Sequence, residues 1–447
     1  MDLEDLDQQT SPAPRTSRAT HAARGTTTRP PSKRTTSSRT NSARNTYVRR
    51  RVVAAFLVVF SVFIVMVGVS VGGALLNPAN GSSITTRFAE WTRDHGGSGV
   101  ANWIENYYYT HHQPKVGGAL AKGAIKAPTK ASTTVAPTAP PHLAPPTAMG
   151  PLASPAVAGE GQWSPAGRLV GGIPAVYETR MRPDSIHTSE VVGVAWMDTK
   201  LLKASLYSGS QIPGGGPFTL SAPIQPAAAN TLVAAFNAGF LMANANGGYY
   251  TDGKTLYPLR TGAASLVIYK DGSVALGQWG RDATMTPDVV SVRQNLDLLV
   301  DGGVPVPGLN ANDTSQWGET LGNQVYVWRS GLGITADGAL VYVGGPALNI
   351  TTLANLLVDA GAVRAMELDI NTDWVSMATY APPPPQTEAS PANGTDLLPD
   401  MVGDPSRYFQ PYWARDFFTM SSALGSATTA TTTTVPVTTT NKAAKKK

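Results

Sequence analysis

The chain has 447 residues, with 35 Lys and Arg, 30 Asp and Glu, six His and no Cys. Zero Cys excludes disulfides, thiol nucleophiles, Cys–zinc sites and iron–sulfur clusters. The net charge of +5 sits at the N-terminus: residues 1–51 hold 11 basic and four acidic side chains, leaving 24 basic and 26 acidic downstream, so no nucleic-acid partner is expected.

Residues 1–51 are rich in Ser, Thr and Pro, a composition expected to stay disordered, lying against anionic lipid heads. Val52 to Leu76 is uncharged and almost wholly apolar. About 20 such residues cross a hydrocarbon layer as a helix, so 52–76 is predicted to span the lipid bilayer. A signal peptide is the alternative, but its apolar part is about 7–15 residues long and lies near the start. The border Tyr47-Val48-Arg49-Arg50-Arg51 is strongly positive, whereas 77–115 holds three basic and three acidic residues. The positive-inside rule then predicts a single-pass cell-membrane protein with a cytoplasmic N-terminus and an extracellular remainder.

Residues 77–112, with Phe88, Trp91, Trp103 and Tyr107 to Tyr109 around Gly96-Gly97, are expected to form a juxtamembrane helical segment. Residues 113–165 carry nine prolines between Pro128 and Pro165 and are expected to be an extended linker with no core of its own. A globular domain is expected over 166–422, followed by a low-complexity Thr/Ala/Lys tail over 423–447.

Within the globular part, Val191–Trp196, Leu201–Tyr207 and Leu232–Phe236 read as strands. Ser265–Tyr269 and Ser273–Leu276 flank Asp271-Gly272, and Val325–Ile334 and Ala339–Val343 flank Asp337-Gly338, which predicts two hairpins. Leu353, Leu356, Leu357 and Ala360 then share one face of a helix, capped by Thr351 or Thr352 and ended by Gly361. A further strand is expected over Val363–Ile370. The predicted fold class is α+β: a mixed, largely antiparallel sheet with a few helices.

His187 is the one His between 166 and 422, which argues against a Ser-His-Asp triad or a His-rich metal site. What remains is carboxylate, Arg and amide chemistry, with no metal or cofactor expected. In Met366-Glu367-Leu368-Asp369-Ile370-Asn371, strand alternation would put Glu367, Asp369 and Asn371 on one face. Two carboxylates so spaced can divide duties at a sugar centre; a solvated edge strand is the alternative. Asn237 to Phe240 and Asp301-Gly302-Gly303 each end an apolar run and are either site residues or turns. Arg329 lies inside an otherwise apolar strand and must meet a carboxylate or an anionic ligand, because an unpaired buried guanidinium is costly.

Taken in order, Asn237-Ala238-Gly239-Phe240, Asp301-Gly302, Arg329-Ser330-Gly331-Leu332-Gly333 with Asp337-Gly338, and Leu368-Asp369 resemble the phosphodiester glycosidase family over about 230 to 375. The family's Gly-Gly-Gly-Ser is replaced by Ile370-Asn371-Thr372-Asp373, and the Thr after its Arg by Ser330. Glu367 to Asn371 and Arg415 to Phe418 look closest to a membrane-anchored bacterial branch. The resemblance implies hydrolysis of a sugar 1-phosphodiester in an envelope glycan or glycoconjugate. Arg329 would hold the phosphate and Asp369 would act as nucleophile or oxocarbenium stabiliser. Glu367 or Asp301 would be the base for water, and Asn237 and Asn371 would bind sugar hydroxyls. Gly239, Gly302, Ser330 and Gly333 complete the expected substrate site, with Arg329 and Asp369 meeting at its floor. The altered Gly-rich loop leaves a rival reading, a non-catalytic glycan-binding or assembly module.

Overall fold

A computed structural model describes residues 38–77, 83–97, 99–100, 103, 107, 110–111, 113–129, 139–310, 316–318, 324–401 and 405–425. Most of the basic N-terminal tail and the Thr/Ala/Lys tail from 426 onward lie outside the described residues. The chain divides into two compact units, Met1–Val67 and Gly68–Lys447. Helix α1 (Ser38–Leu76) supplies the described part of the first unit. Its stretch Thr46–Leu76 is long and apolar enough to cross a membrane. Phe56, Val59, Val65 and Val69 are all exposed, as expected of a helix whose every side is apolar.

The second unit takes in the last turns of α1 from Gly68 and then helix α2 (Ile84–Asp94). Among the described residues its strands form three sheets. The large eight-stranded sheet runs in the order β1 (Ser164–Val170), β2 (Ile173–Met181), β3 (Val192–Met197), β14 (Leu340–Leu348), β13 (Val327–Thr335), β15 (Ala362–Glu367), β11 (Leu298–Asp301) and β12 (Val304–Pro305). One five-stranded sheet has β7 (Lys254–Tyr257), β6 (Tyr249–Thr251), β10 (Val289–Gln294), β8 (Ala264–Tyr269) and β9 (Val274–Gln278). The other has β17 (Gly394–Asp396), β16 (Met377–Tyr380), β5 (Leu232–Asn237), β18 (Phe417–Ser422) and β4 (Leu202–Tyr207). The pairings among these strands are antiparallel, so the fold is α+β with mostly antiparallel sheets.

The large sheet is buried on both faces, which its alternation records. In β14, Leu340 and Tyr342 join the core shared with the smaller sheets, alongside Phe236, Leu266 and Phe418. Val341 and Val343 join a second core under helix α3 (Ile350–Asp359), against Leu353 and Leu357. Helix α3 sits close to the sheet because β13 presents Gly331 to it. A Cβ on Gly331 would lie 2.9 Å from Leu357, and one on Gly333 would lie 2.6 Å from the Cβ of Ala362. Gly331 therefore serves helix–sheet packing, and Gly333, expected in the substrate site, instead sits against Ala362 of β15 and Val341 of β14. The helix is capped by Asn349, whose Oδ1 accepts the Thr352 amide at 2.7 Å, and not by either Thr.

The segment expected as a free linker is tied down over 139–163. Met149, Ala153 and Glu160 are buried. Arg182, just past β2, donates from Nε to Glu160 Oε1 at 2.9 Å and from Nη2 to Glu160 Oε2 at 2.7 Å. The same Nη2 donates to the carbonyls of Ala153 and Pro155, each at 2.8 Å. Burial pushes the Glu160 carboxyl up, but the Arg182 guanidinium and backbone amides outweigh it and hold the group below its ordinary range. Composition hides this because proline-rich chain buries little surface itself; one ion pair anchors it. Glu160→Ala leaves the Arg182 guanidinium buried without its carboxylate. It is expected to cost about 3–5 kcal/mol in urea unfolding and to open 139–163 to limited proteolysis.

Candidate active site

The ladder between β13 and β15 shifts register between Thr335 and Ile334 and is then regular to Gly331, which faces Glu367. The next residue, Ser330, faces two. The Leu368 amide donates to the Ser330 carbonyl at 2.8 Å, and the Ser330 amide donates to the Asp369 carbonyl at 2.8 Å. An extra residue of this kind turns the side chains beyond it to the other face. Glu367 and Asp369, two apart and expected side by side, are thereby separated.

Glu367 stays on the α3 side. Its Oε1 accepts Arg329 Nη1 at 2.6 Å, and Arg329 also donates to the carbonyls of Trp317 and Leu348, both members of that core. Both side chains are essentially inaccessible. Burial pushes Glu367 up to about 7, and the Arg329 charge opposes it. Arg329, expected on a ligand phosphate, instead meets an internal carboxylate, and that carboxylate is the expected base.

Asp301 is also apart. It faces Arg364 in register, three residues along β15 from Glu367 and about 10 Å away at ordinary strand rise. Its carboxylate accepts Arg281 Nη1 and Nη2 at 2.6 and 3.0 Å in a half-exposed network with Asp282 and Arg364. Gly302 (φ +62°) makes the turn between β11 and β12 beside it. A cleft of about 380 Å³ opens there, lined by Arg260, Asp297, Asp301, Gln316 and Trp317.

Asp369 points instead toward the smaller sheets. Its Oδ1 accepts the Ile370 amide at 2.8 Å, while its buried Oδ2 has no hydrogen-bond partner among the described residues. Arg415 and Arg293 are the cations that act on it, and Asp416 is the neighbouring anion. Arg415 lies over the Trp374 ring at 4.3 Å and Arg407 over the Trp413 ring at 4.6 Å, and the two indoles meet at 5.4 Å. Buried polar atoms without partners gather here: Asp369 Oδ2, Asp416 Oδ1, Trp374 Nε1, and Arg407 Nε and Nη2. Native interiors satisfy nearly all such atoms, so a cluster of exceptions marks a place built for something else.

Asn237 and Ser330 hold this group together. Asn237 Nδ2 donates to Ser330 Oγ at 3.0 Å, and its Oδ1 accepts the Tyr342 hydroxyl at 2.9 Å and the Ser376 amide at 3.1 Å. Asn237 thus joins β5, β13, β14 and the loop entering β16, and its amide is committed to the fold and not to a sugar. Gly239 (φ +144°) lets Asn295 approach, since a Cβ would lie 2.1 Å from Asn295 Oδ1. Asn371 Oδ1 accepts the Asp373 amide at 2.8 Å, bending the loop that carries Trp374. Thr86 of α2 donates to the Asp373 carboxylate at 2.5 Å, so helix α2 touches the same loop.

Of the expected residues, Asp369, Asn237, Ser330, Gly239 and Asn371 come together; Arg329, Glu367, Asp301, Gly302 and Gly333 do not join them. Sequence reasoning missed Arg293, Arg407, Trp374, Trp413 and Asp416. Arg293 carried a usable signal, a lone Arg at the end of the apolar run Val289–Val292, the same pattern that singled out Arg329.

Burial pushes the Asp369 carboxyl up to about 6, against the downward pull of Arg415, the Ile370 amide and Arg293. An unfolded Asp ionises near 3.9. The folded state therefore holds the proton more tightly, and stability falls as pH rises between about 4 and 6. Asp369→Asn removes that penalty. It is expected to stabilise the protein by up to about 3 kcal/mol at pH 7.5, with the gain vanishing below pH about 4, as read by urea unfolding at both pH values.

Residues 230–369 match the sequence model of a family described as phosphodiester glycosidase. The match ends on Asp369, so Asn371, Arg407, Arg415 and Asp416 lie beyond it. Among solved structures, the chain is similar to the zebrafish N-acetylglucosamine-1-phosphodiester alpha-N-acetylglucosaminidase catalytic domain auto-inhibited by its pro-peptide, at 14% identity and TM-score 0.34, over 58% of this chain and 87% of that one. It is also similar to a hypothetical protein from Synechocystis (13% identity, TM-score 0.30, 56% of this chain and 63% of that one). A third similarity is to an exported protein from Burkholderia pseudomallei (14% identity, TM-score 0.25, 52% and 74%). A comparison with curated proteins finds no match. Over residues 230–369, the chain carries a domain of the phosphodiester glycosidase family.

Proposed function

We propose that the protein is a membrane-anchored hydrolase that cleaves the bond between the anomeric carbon of a sugar and a phosphodiester, in a glycan or glycoconjugate of the cell envelope. Residues 46–76 are the anchor, and Arg49-Arg50-Arg51 keeps the N-terminus cytoplasmic with the glycosidase domain outside. The observation that carries the reading is the Asp369 carboxylate, buried with one oxygen unpartnered, at the end of the family match and under the influence of Arg415.

The chemistry asks little more. A phosphodiester leaves as a phosphate monoester and needs little protonation, so the site must stabilise two charges. A cation meets the phosphate, and Arg415 takes the role first expected of Arg329, since a planar guanidinium fork matches phosphate oxygens. Positive charge grows at the anomeric carbon, and the Asp369 carboxylate faces it. Low dielectric makes both interactions stronger than they would be in water.

The test is incubation of the purified full-length protein with a panel of hexose 1-(methyl phosphate) diesters. Free sugar and methyl phosphate are expected in equal amounts, with kcat/KM rising through pH about 6 as Asp369 ionises and level above it. Asp369→Asn is expected to lose more than about 10³-fold in turnover, and Arg415→Met about 10²-fold. Binding without release across the panel would point to a glycan-binding module, and full activity of Asp369→Asn would remove the assignment.

A further inference from the structure

Glu367 is committed to Arg329 and Asp301 to Arg281, so each expected base is paired with an arginine of its own. Asp416, which immediately precedes β18, is an anion neighbouring Asp369. It reaches the site because Phe417 pairs with Asn237 of β5, and the Ala238 amide donates to the Asp416 carbonyl at 3.3 Å. Its side chain is wholly buried and accepts Arg293 Nε on Oδ2 at 2.7 Å. Oδ1 has no hydrogen-bond partner among the described residues.

The way Arg293 is held is informative. Arg–carboxylate pairs are frequently bidentate, but neither this pair nor Arg329–Glu367 is: Arg329 likewise gives Glu367 only Nη1 and leaves its Oε2 without a partner among the described residues. Arg293 gives Asp416 only Nε. Its Nη1 donates to the Gln294 carbonyl at 2.8 Å and to Asn295 Oδ1 at 3.2 Å, and its Nη2 donates to the Phe240 carbonyl. Asn295 is itself fixed, with Nδ2 donating to the Ala238 carbonyl at 2.9 Å. The guanidinium is thus locked by backbone and amide partners while one carboxylate oxygen stays open. The groups facing this pair are Asp369, Arg415 and the Tyr249 ring, which lies 5.9 Å from the Arg293 guanidinium carbon.

We infer that Asp416 is the general base of this site, with Arg293 as its positioning residue; the inference rests on the glycosidase reading above. In the step it serves, a water oxygen bonds to the anomeric carbon while the carbon–oxygen bond to phosphorus breaks. The bonding pair leaves on the phosphate monoester, and the water proton passes to Asp416 Oδ1. Asp369 supports the positive charge at the carbon throughout. Two carboxylates then have two environments: Asp416 fixed by an Arg on one oxygen, Asp369 held without a direct ion pair.

The experiment compares full-length wild type, Asp416→Asn, Asp416→Ala and Arg293→Lys on a hexose 1-(methyl phosphate) diester, with and without sodium azide. Asp416→Asn keeps an oxygen to accept Arg293 Nε, so its fold is preserved. It is expected to lose about 10²–10⁴-fold in kcat with KM little changed. In Asp416→Ala, azide is expected to restore turnover and to appear in the product as glycosyl azide. Arg293→Lys is expected to lower kcat and shift the pH profile, a change that a packing role would not produce. If wild type releases sugar while folded Asp416→Asn keeps most of its turnover, or if azide restores nothing in folded Asp416→Ala, the inference is overturned and the glycosidase reading stands. If wild type releases no sugar, that reading fails and takes the inference with it.

Discussion

At Ser330 one residue of β13 faces two of its neighbour, and the arrangement of the candidate site follows from that mismatch. The Leu368 and Ser330 amides each find a carbonyl across it, so the ladder loses little. Its consequence is directional. Glu367 remains with Arg329 in the core under α3, while Asp369 enters the space between the sheets, where Arg293, Arg415 and Asp416 gather. A regular ladder would have put both carboxylates against α3, on the face away from Arg293, Arg415 and Asp416. Asn237 then secures the mismatch from the other side by its bond to Ser330 Oγ.

Among the described residues five arginines of the domain are buried: Arg415 lies over the Trp374 ring, and the other four are each resolved differently. Arg182 is given a carboxylate and two carbonyls, and with them pins the proline-rich segment onto the sheet. Arg329 is given Glu367 and two carbonyls. Arg293 divides its donors among Asp416, Asn295 and two carbonyls. Arg407 has the Asp373 carbonyl and the Trp413 face, and two of its nitrogens have no partner. The first two are structural pairs, although Glu367 Oε2 is itself without a partner among the described residues. The last two lie beside unpartnered carboxylate and indole atoms, the pattern of a site whose strain is tolerated because it serves binding.

The local architecture was legible where a short-range signal decides it. Two Asp-Gly turns between alternating runs produced the hairpins β8–β9 and β13–β14, and a 3.6-residue period produced α3. The membrane-length helix and the family resemblance were legible for the same reason, since each is written in contiguous residues. What was not legible depends on distant partners. Arg329 as an isolated cation in an apolar strand is equally compatible with a ligand and with Glu367, and the register that chooses between them is set by the mismatch at Ser330. Arg415 and Asp416 come from a segment more than forty residues after Asp369, and no pattern in the chain announces their convergence. The linker misled for a compositional reason: its prolines and alanines bury little, and the Glu160–Arg182 pair that fixes it is invisible until both are placed.

The central claim is that a ligand's anomeric carbon meets Asp369 and its phosphorus meets Arg415, with Arg329 a structural cation on the other side of the sheet. A crystal structure of the protein bound to a sugar 1-C-phosphonate ester, which cannot be hydrolysed at that bond, tests it most directly. The account predicts the anomeric carbon beside Asp369 Oδ2, the phosphonate on Arg415, and the Arg329–Glu367 pair unchanged. A phosphonate seated on Arg329, or a ligand confined to the cleft beside Asp301, would contradict it.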